Sequence, residues 1–470
     1  MSGKSSVIEQ LKEAAGPNGF TEDEQEIAPH LVEWRGKYRG QTPLMLKPAA
    51  AAEVSRILAI CNETRTPIVP QGGNTGLVGG QIPFDGEILL SLARMNRIRR
   101  MDIEGLSATA EAGVILAELQ RAADEAGRYF PLSLAAEGSC TIGGNVSTNA
   151  GGVNVLRYGC MRDLVLGLEV VLADGRVLNL TRPLRKDNTG YDLKQLFIGA
   201  EGSLGVVTAA VLKLFAKPVE RVTCFAAMAE PADAVKLLNH VQSATGGLVS
   251  AFELIPRIGV EFVLAHIPQT SEPTTTTSPW YALIEATSGA HARLEDVVAD
   301  ALAAAIADGM ATDAVLASSE AQRQSLWRLR ESLSEAQKVE GASIKHDVSV
   351  SVAMIPEFLR RGTAAVERLI PGVRPVPFGH LGDGNVHFNF SLPKGGDNEA
   401  FLERWEDVNR VVHDLVHELG GSIGAEHGIG IMKRDELLRY KTAEEIELMR
   451  TLKRALDPNN ILNPGKVVAI

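Results

Sequence analysis

Apolar residues recur along this 470-residue chain at two periods. Spacing of i, i+3, i+4 and i+7 predicts amphipathic helices in AAAEVSRILAICNET, ILAELQRAADEAG, AVKLLNHVQSA, the stretch from Ala290 to Asp308, and VNRVVHDLVHEL. Short apolar runs edged by glycine or proline predict strands in PIVPQGG, EILLSL, LGVVTAAVLKLF, CFAAMA and WYALIEAT. LVLGLEVVLADGRVLNL predicts a hairpin turning at Asp174-Gly175. EPTTTTSP, from Glu272 to Pro279, reads as a loop. From about Arg404 the chain is mostly helical, ending in the turn-rich DPNNILNPGKVV. Helices and strands alternate without a regular βαβ repeat from Pro48 to Lys217, and a second region opens near Val219. The expected class is α+β.

One strand-like run carries chemistry. HLGDGNVH places Asp383-Gly384 between His380 and His387, and a two-residue turn there would set the two histidines opposite each other. Opposed Cβ atoms lie about 4.5–5.5 Å apart, close enough for two imidazoles to reach one metal ion. His387 and Asn389 then share a face, and Val386, Phe388 and Phe390 take the other. The same pair also reads as an ordinary cross-strand hydrogen-bonded pair. Glu426-His427, within GGSIGAEHGIG, offers a third ligand and a base. His413 and His417 share a helix face, but HDLVH lacks the Glu of HExxH, and they read as structural.

Composition narrows the function. A formal net charge of −11 disfavours a nucleic-acid partner. Cys61, Cys140, Cys160 and Cys224 are scattered and suggest neither an iron–sulfur cluster nor a disulfide framework. MSGKSSVIEQLKEAAG has no apolar core, and no run approaches a membrane span, so a cytoplasmic location is expected.

PQGGNTGLVGG, from Pro70 to Gly80, could turn successive backbone N–H groups toward an anion. Its spacing is not GxGxxG and it leads into a strand, which disfavours a nicotinamide-binding Rossmann domain. No GK[ST] follows, which excludes a P-loop. EGSCTIGGNVSTNAGG and GAEGSLGVVT add two more glycine clusters, together suggesting a long phosphate-bearing ligand.

In this order, PQGGNTGLVGG, GSCTIGGNVSTNAGG, NTGYDLKQLFIGAEGSLGVVT, HLGDGNVHFN, EHGIG and NPGK resemble the FAD-dependent D-2-hydroxyacid dehydrogenases of the vanillyl-alcohol-oxidase-like superfamily. The resemblance runs from Trp34 to Lys466. It implies an N-terminal helical segment (1–39), a two-subdomain PCMH-type FAD-binding domain (40–217), an α+β substrate domain with an antiparallel sheet (218–420), and a C-terminal segment returning to the flavin (421–470). It implies that Gln71, Gly72, Gly73, Asn74, Thr75, Gly76 and Leu77 hold the pyrophosphate. Ser139, Gly143, Gly144, Thr148, Ala150, Gly151, Glu201, Gly205 and Val207 would line FAD, with Asn463 near the ring. No His, Cys or Tyr lies between Pro70 and Gly80, so noncovalent FAD is expected, with Cys140 the remaining candidate for a tether.

Oxidising a 2-hydroxy acid needs a hydride acceptor, a base and a carboxylate clamp. The family pattern gives metal ligation to His380, His387 and Glu426. Two His and a carboxylate suit Zn²⁺, with Mn²⁺, Co²⁺ or Fe²⁺ also compatible. His427 is the favoured base because histidine titrates near neutral pH. By resemblance Arg330, Ser334, Lys345 and Asn389 contact the substrate, and Arg330 and Ser334 are expected on one helix face. The expected substrate is D-2-hydroxyglutarate, with D-lactate, D-malate or glycolate as alternatives. A non-catalytic electron-transfer subunit is the alternative of a different class. A separate electron acceptor (an electron-transfer flavoprotein, a quinone or a cytochrome) and a homodimer are also expected.

Overall fold

The computed structural model describes residues 2–291 and 293–470 and divides into two compact units. The first comprises the chain up to Gly151, Gly159–Lys217 and Glu426–Ile470. The second comprises Gly152–Tyr158 and Pro218–Ala425.

The first unit holds two sheets. In a four-stranded mixed sheet, Ile88–Ser91 runs parallel to both Ile68–Gln71 and Met45–Leu46, with Phe20–Thr21 antiparallel at the edge. Helix Ala51–Thr64 buries Val54, Ile57, Leu58 and Cys61, the i, i+3, i+4, i+7 stripe, against Ile68, Ile88 and Leu90. Ile461 and Leu462 join the same core, and the chain there bonds to Ile68 from both sides: Ile68 N–H donates to Ile461 O, and Asn463 N–H to Ile68 O. The second sheet is antiparallel, in the order Ile98–Asp102, Ser107–Glu111, Val206–Lys213, Val165–Val171, Val177–Asn179. Its last pair is the hairpin expected at Asp174-Gly175, with Val171 facing Val177.

The second unit is built on an eight-stranded antiparallel sheet. Its order is Asp313–Leu316, Glu220–Met228, Trp280–Ser288, Val249–Pro256, Arg374–His380, Asn385–Ser391 and Ser343–Ile344, with Asp347–Ser349 also paired to Asn385–Ser391. Helices Pro231–Ala244, Leu294–Ala307 and Trp405–Glu418 carry the predicted apolar stripes, and Ile355–Leu369 is a further helix that buries Ile355, Phe358, Leu359, Gly362 and Val366. Phe388, on the strand face away from its polar neighbours His387 and Asn389, stacks on Phe358 of Ile355–Leu369 with ring centroids 4.7 Å apart. EPTTTTSP is irregular, as expected.

One helix differs from expectation. Arg330 and Ser334 do not share a face: Glu320–Glu331 and Leu333–Val339 are separate helices joined at Ser332, whose ψ of −6° breaks the regular turn. Arg330 is buried while Ser334 is exposed.

Candidate active site

The second unit places its chemistry where three strands adjoin. The turn between the two histidines is wider than two residues. Leu381–Asp383 forms a 3₁₀ turn closed by Gly384 at φ +88°, a left-handed conformation that favours glycine. The Asp383 carboxylate accepts the Asn385 N–H (3.1 Å), an Asx turn that stabilises this longer reversal. The register corrects the expected pairing, since His387 faces Phe378 rather than His380. The histidines are still neighbours. Residues i and i+2 on a strand point to one side, so His380 stands beside Phe378 and lies diagonal to His387. Their ring centroids are 5.4 Å apart, with planes at 77°.

His380 is directly opposed by Glu253 on Val249–Pro256. The His380 Nδ1–H donates to Glu253 Oε1 at 2.6 Å, and Glu253 Oε2 accepts from Arg330 Nε, also at 2.6 Å. The Arg330 guanidinium lies over the Phe378 ring, 4.9 Å from its centroid. Neither Arg330 Nη has a hydrogen-bond partner among the described residues. Burial opposes ionisation of Glu253, but Arg330 and then His380 outweigh it and hold its carboxyl down to about 2. Burial pushes the nearby Asp383 carboxyl up to about 6.

Asp347, opposite His387, is buried and accepts from Asn385 Nδ2 at 2.9 Å. Its carbonyl accepts the Ala425 N–H, and Ser349 pairs with Ser422, so the backbone leading to Glu426-His427 runs along this strand. Asn389 is buried. Its Nδ2 donates to Gln337 Oε1 (3.2 Å), Gln337 Nε2 donates to Ser391 Oγ (3.0 Å), and Asn389 Oδ1 has no donor among the described residues. Lys345 is half-buried on the adjoining segment. His413 is buried edge-on to His346, with ring centroids 5.7 Å apart, in keeping with a structural role.

These ligand types and their setting fit a metal. With Nδ1 donating to a carboxylate, a singly protonated His380 ring would carry its lone pair on Nε2, the arrangement by which carboxylates orient metal-binding histidines. Glu253 was missed by sequence reasoning. The available signal was a lone acid in the apolar strand VSAFELIP, every residue of which is buried.

In the first unit the glycine loops come together. The N–H groups from Gly72 to Leu77, including Thr75 and Gly76, donate to no protein atom among the described residues, as an anion-binding nest requires. Two side chains of that loop are engaged elsewhere: Gln71 Nε2 donates to His30 O and Gln81 O, and Asn74 Nδ2 to Pro29 O and Val32 O. Gly73 backs onto the second loop so closely that a Cβ there would lie 1.9 Å from Ser139 O. Thr141 caps the helix Ile142–Thr148, which carries Gly143 and Gly144, and the Thr148 hydroxyl donates to Gly144 O (3.0 Å). Ala150 N–H donates to Asn145 O, leading the chain to Gly151. Glu201 binds this loop through its own N–H to Ser147 O (2.8 Å), and its carboxylate accepts the N–H groups of Ile429 and Gly430 at 2.8 and 2.9 Å. Burial raises the Glu201 carboxyl above its usual range. Gly205 leads into the buried strand Val206–Lys213, which carries Val207. Asn463 Nδ2 donates to Gly80 O and Glu201 O, joining the C-terminal run to two of the loops. The Cys140 thiol is buried and its pKa is raised by that burial, so it is a poor nucleophile for a tether.

Two family models match: "FAD binding domain" over residues 42–181 and "FAD linked oxidases, C-terminal domain" over residues 217–467. A relative from Oryza sativa subsp. indica, a probable mitochondrial D-2-hydroxyglutarate dehydrogenase, is 40% identical over 468 residues, covering 98% of this chain and 81% of that one. The D-2-hydroxyglutarate dehydrogenase of Stutzerimonas stutzeri (strain A1501) is 35% identical over 463 residues, covering 98% and 99%. Among solved structures, p-cresol methylhydroxylase aligns with TM-score 0.76 at 17% identity, over 99% of this chain and 97% of that one, a likeness of fold. The expected cytoplasmic location is corrected by the mitochondrial naming of such relatives. Mitochondrial transit segments are amphipathic and need no apolar core, so the patterning behind that expectation does not bear on them. No helix among the described residues is long and apolar enough to cross a membrane.

Proposed function

This chain belongs to the FAD-dependent D-2-hydroxyacid dehydrogenases, oxidoreductases acting on a 2-hydroxy acid, and from that premise we propose that it oxidises D-2-hydroxyglutarate with the help of a divalent metal. The carrying observation is in the second unit, where His380 and Arg330 share one buried carboxylate and His387 stands beside His380. It combines metal-ligand chemistry with a cation suited to a carboxylate substrate.

In this reading residues 40–217 bind FAD, 218–420 bind substrate, and 421–470 complete the flavin site. FAD, when bound noncovalently along the glycine loops, supplies the hydride acceptor at N5. His380, His387 and Glu426 would hold a divalent ion, Zn²⁺ by ligand type, with Mn²⁺, Co²⁺ or Fe²⁺ also compatible, and that ion would acidify the substrate hydroxyl. Arg330 binds the 2-carboxylate through its Nη groups. Asn389, Lys345 and Ser334 contact its remaining polar groups. An imidazole nitrogen of His427 takes the hydroxyl proton as the C2 hydrogen departs with its electron pair and C2–O becomes a carbonyl. The electrons then pass to a separate acceptor, and the protein works as a homodimer.

Anaerobic mixing of the FAD- and metal-loaded protein with D-2-hydroxyglutarate, D-lactate and D-malate tests this. Flavin absorbance should bleach fastest with D-2-hydroxyglutarate. Faster bleaching with D-lactate or D-malate would reassign the substrate, and no bleaching with any of them would leave a non-catalytic flavoprotein. His380→Ala or His387→Ala should lose metal and turnover while keeping FAD. Full activity of either variant after chelation would exclude the metal role.

A further inference from the structure

Glu253 has no place in the reaction as described, yet it touches two of its parts. We propose that Glu253 is a positioning residue that couples the metal subsite to the substrate-carboxylate subsite. The inference rests on the functional reading above and assigns the carboxylate a role in it.

Its two oxygens are divided, one to His380 Nδ1 and one to Arg330 Nε, each at 2.6 Å. These partners come from distant parts of the chain, 127 and 77 residues away. Glu253 itself is 1% exposed and is held by strand pairing directly opposite His380, so the contact is set by the backbone register. On the other side Arg330 is confined between the carboxylate and the Phe378 ring.

Stability alone is a poor explanation for this arrangement. A buried ion pair gains little net free energy over apolar side chains of the same volume, because both charges must be desolvated. What the carboxylate does supply is orientation. By accepting from Nδ1 it fixes the His380 tautomer and places the lone pair on Nε2, the nitrogen a metal ion would use. By engaging Arg330 only through Nε it leaves the two Nη groups as a fork for a carboxylate. One side chain therefore sets the angle between metal and clamp, as a chelating 2-hydroxy acid requires.

The test uses the full-length, FAD-bound protein with Glu253→Gln and Glu253→Asp. For Glu253→Gln, chelator competition should show divalent-metal affinity lower by about 10–100-fold, the effect of losing such a supporting contact. KM for D-2-hydroxyglutarate should rise at least tenfold, with a smaller fall in kcat at saturating metal and substrate, and FAD content should be unchanged. Glu253→Asp, which keeps the charge, should recover part of both losses. Wild-type metal affinity and KM in Glu253→Gln would overturn the proposal, as would a loss of only one of the two. Where the Gln variant fails to fold, ¹⁵N spectra of histidine-labelled wild-type protein decide, the His380 signal being assigned by its absence in His380→Ala. They should show the proton on Nδ1, and a proton on Nε2 instead would overturn the proposal. A wild-type protein that neither binds divalent metal nor is reduced by a D-2-hydroxy acid would sink the functional reading, and the tautomer would still report whether Glu253 orients His380.

Discussion

Lys466 shows how far one residue can be driven by its surroundings. It is 2% exposed, and its Nζ donates to Ile82 O at 2.6 Å and to Asn463 Oδ1 at 2.8 Å. Burial draws its pKa down to about 8, against the opposing pull of Glu87, Glu201 and Asp85. For a base whose folded pKa lies below its unfolded value, the unfolded chain keeps a proton that the fold releases between the two. The Lys466 contribution to stability should therefore rise with pH from about 8 to 10.5 and stay flat below that window. Lys466→Met relieves a desolvation worth about 3 kcal/mol but leaves two buried oxygens without donors, at about 1–3 kcal/mol each. The two effects nearly cancel at pH 7, so the discriminating measurement is urea unfolding at pH 8 and pH 10. Wild type should gain stability over that interval relative to Lys466→Met, and parallel pH profiles would show that Lys466 stays protonated throughout.

At the scale of elements, the glycine loops are held in place by backbone against backbone. A methyl group at position 73 would have to occupy space 1.9 Å from Ser139 O, so one of the two loops must move. Gly73→Ala should cost about 1–3 kcal/mol, as overpacking does, and should purify with a raised 280/450 nm absorbance ratio from lost FAD. Full flavin occupancy in that variant would separate the loop contact from cofactor binding. Sequence reading reached the loops because glycine clusters are a local signal, and it reached the 165–179 hairpin for the same reason. It did not reach the 3₁₀ turn at Leu381–Asp383, because an Asp-Gly dipeptide suits both a two-residue turn and this longer one. Nor did it reach the break at Ser332, since helical periodicity does not register a single residue with a shifted ψ.

Over the whole molecule, the second unit is inserted between parts of the first, whose final segment begins at Glu426. A ligand that binds only the native form of one unit raises that unit's stability by mass action, about 2.7 kcal/mol at a hundredfold excess over Kd. If FAD binds along the first unit's loops, stripping it should lower one calorimetric transition and leave the other within a degree or two. Two transitions that fall together would mean the units unfold as one.

By itself the sequence determined the periodic elements, the glycine loops, the histidine pair and the family to which they point, because each is written in neighbouring residues. Tertiary structure alone decided that His387 faces Phe378, that Arg330 turns inward while Ser334 does not, and that Glu253 joins His380 to Arg330. Those outcomes depend on strand register and on contacts between segments many tens of residues apart. No local pattern of apolar and polar positions specifies which distant carboxylate will be buried beside which cation.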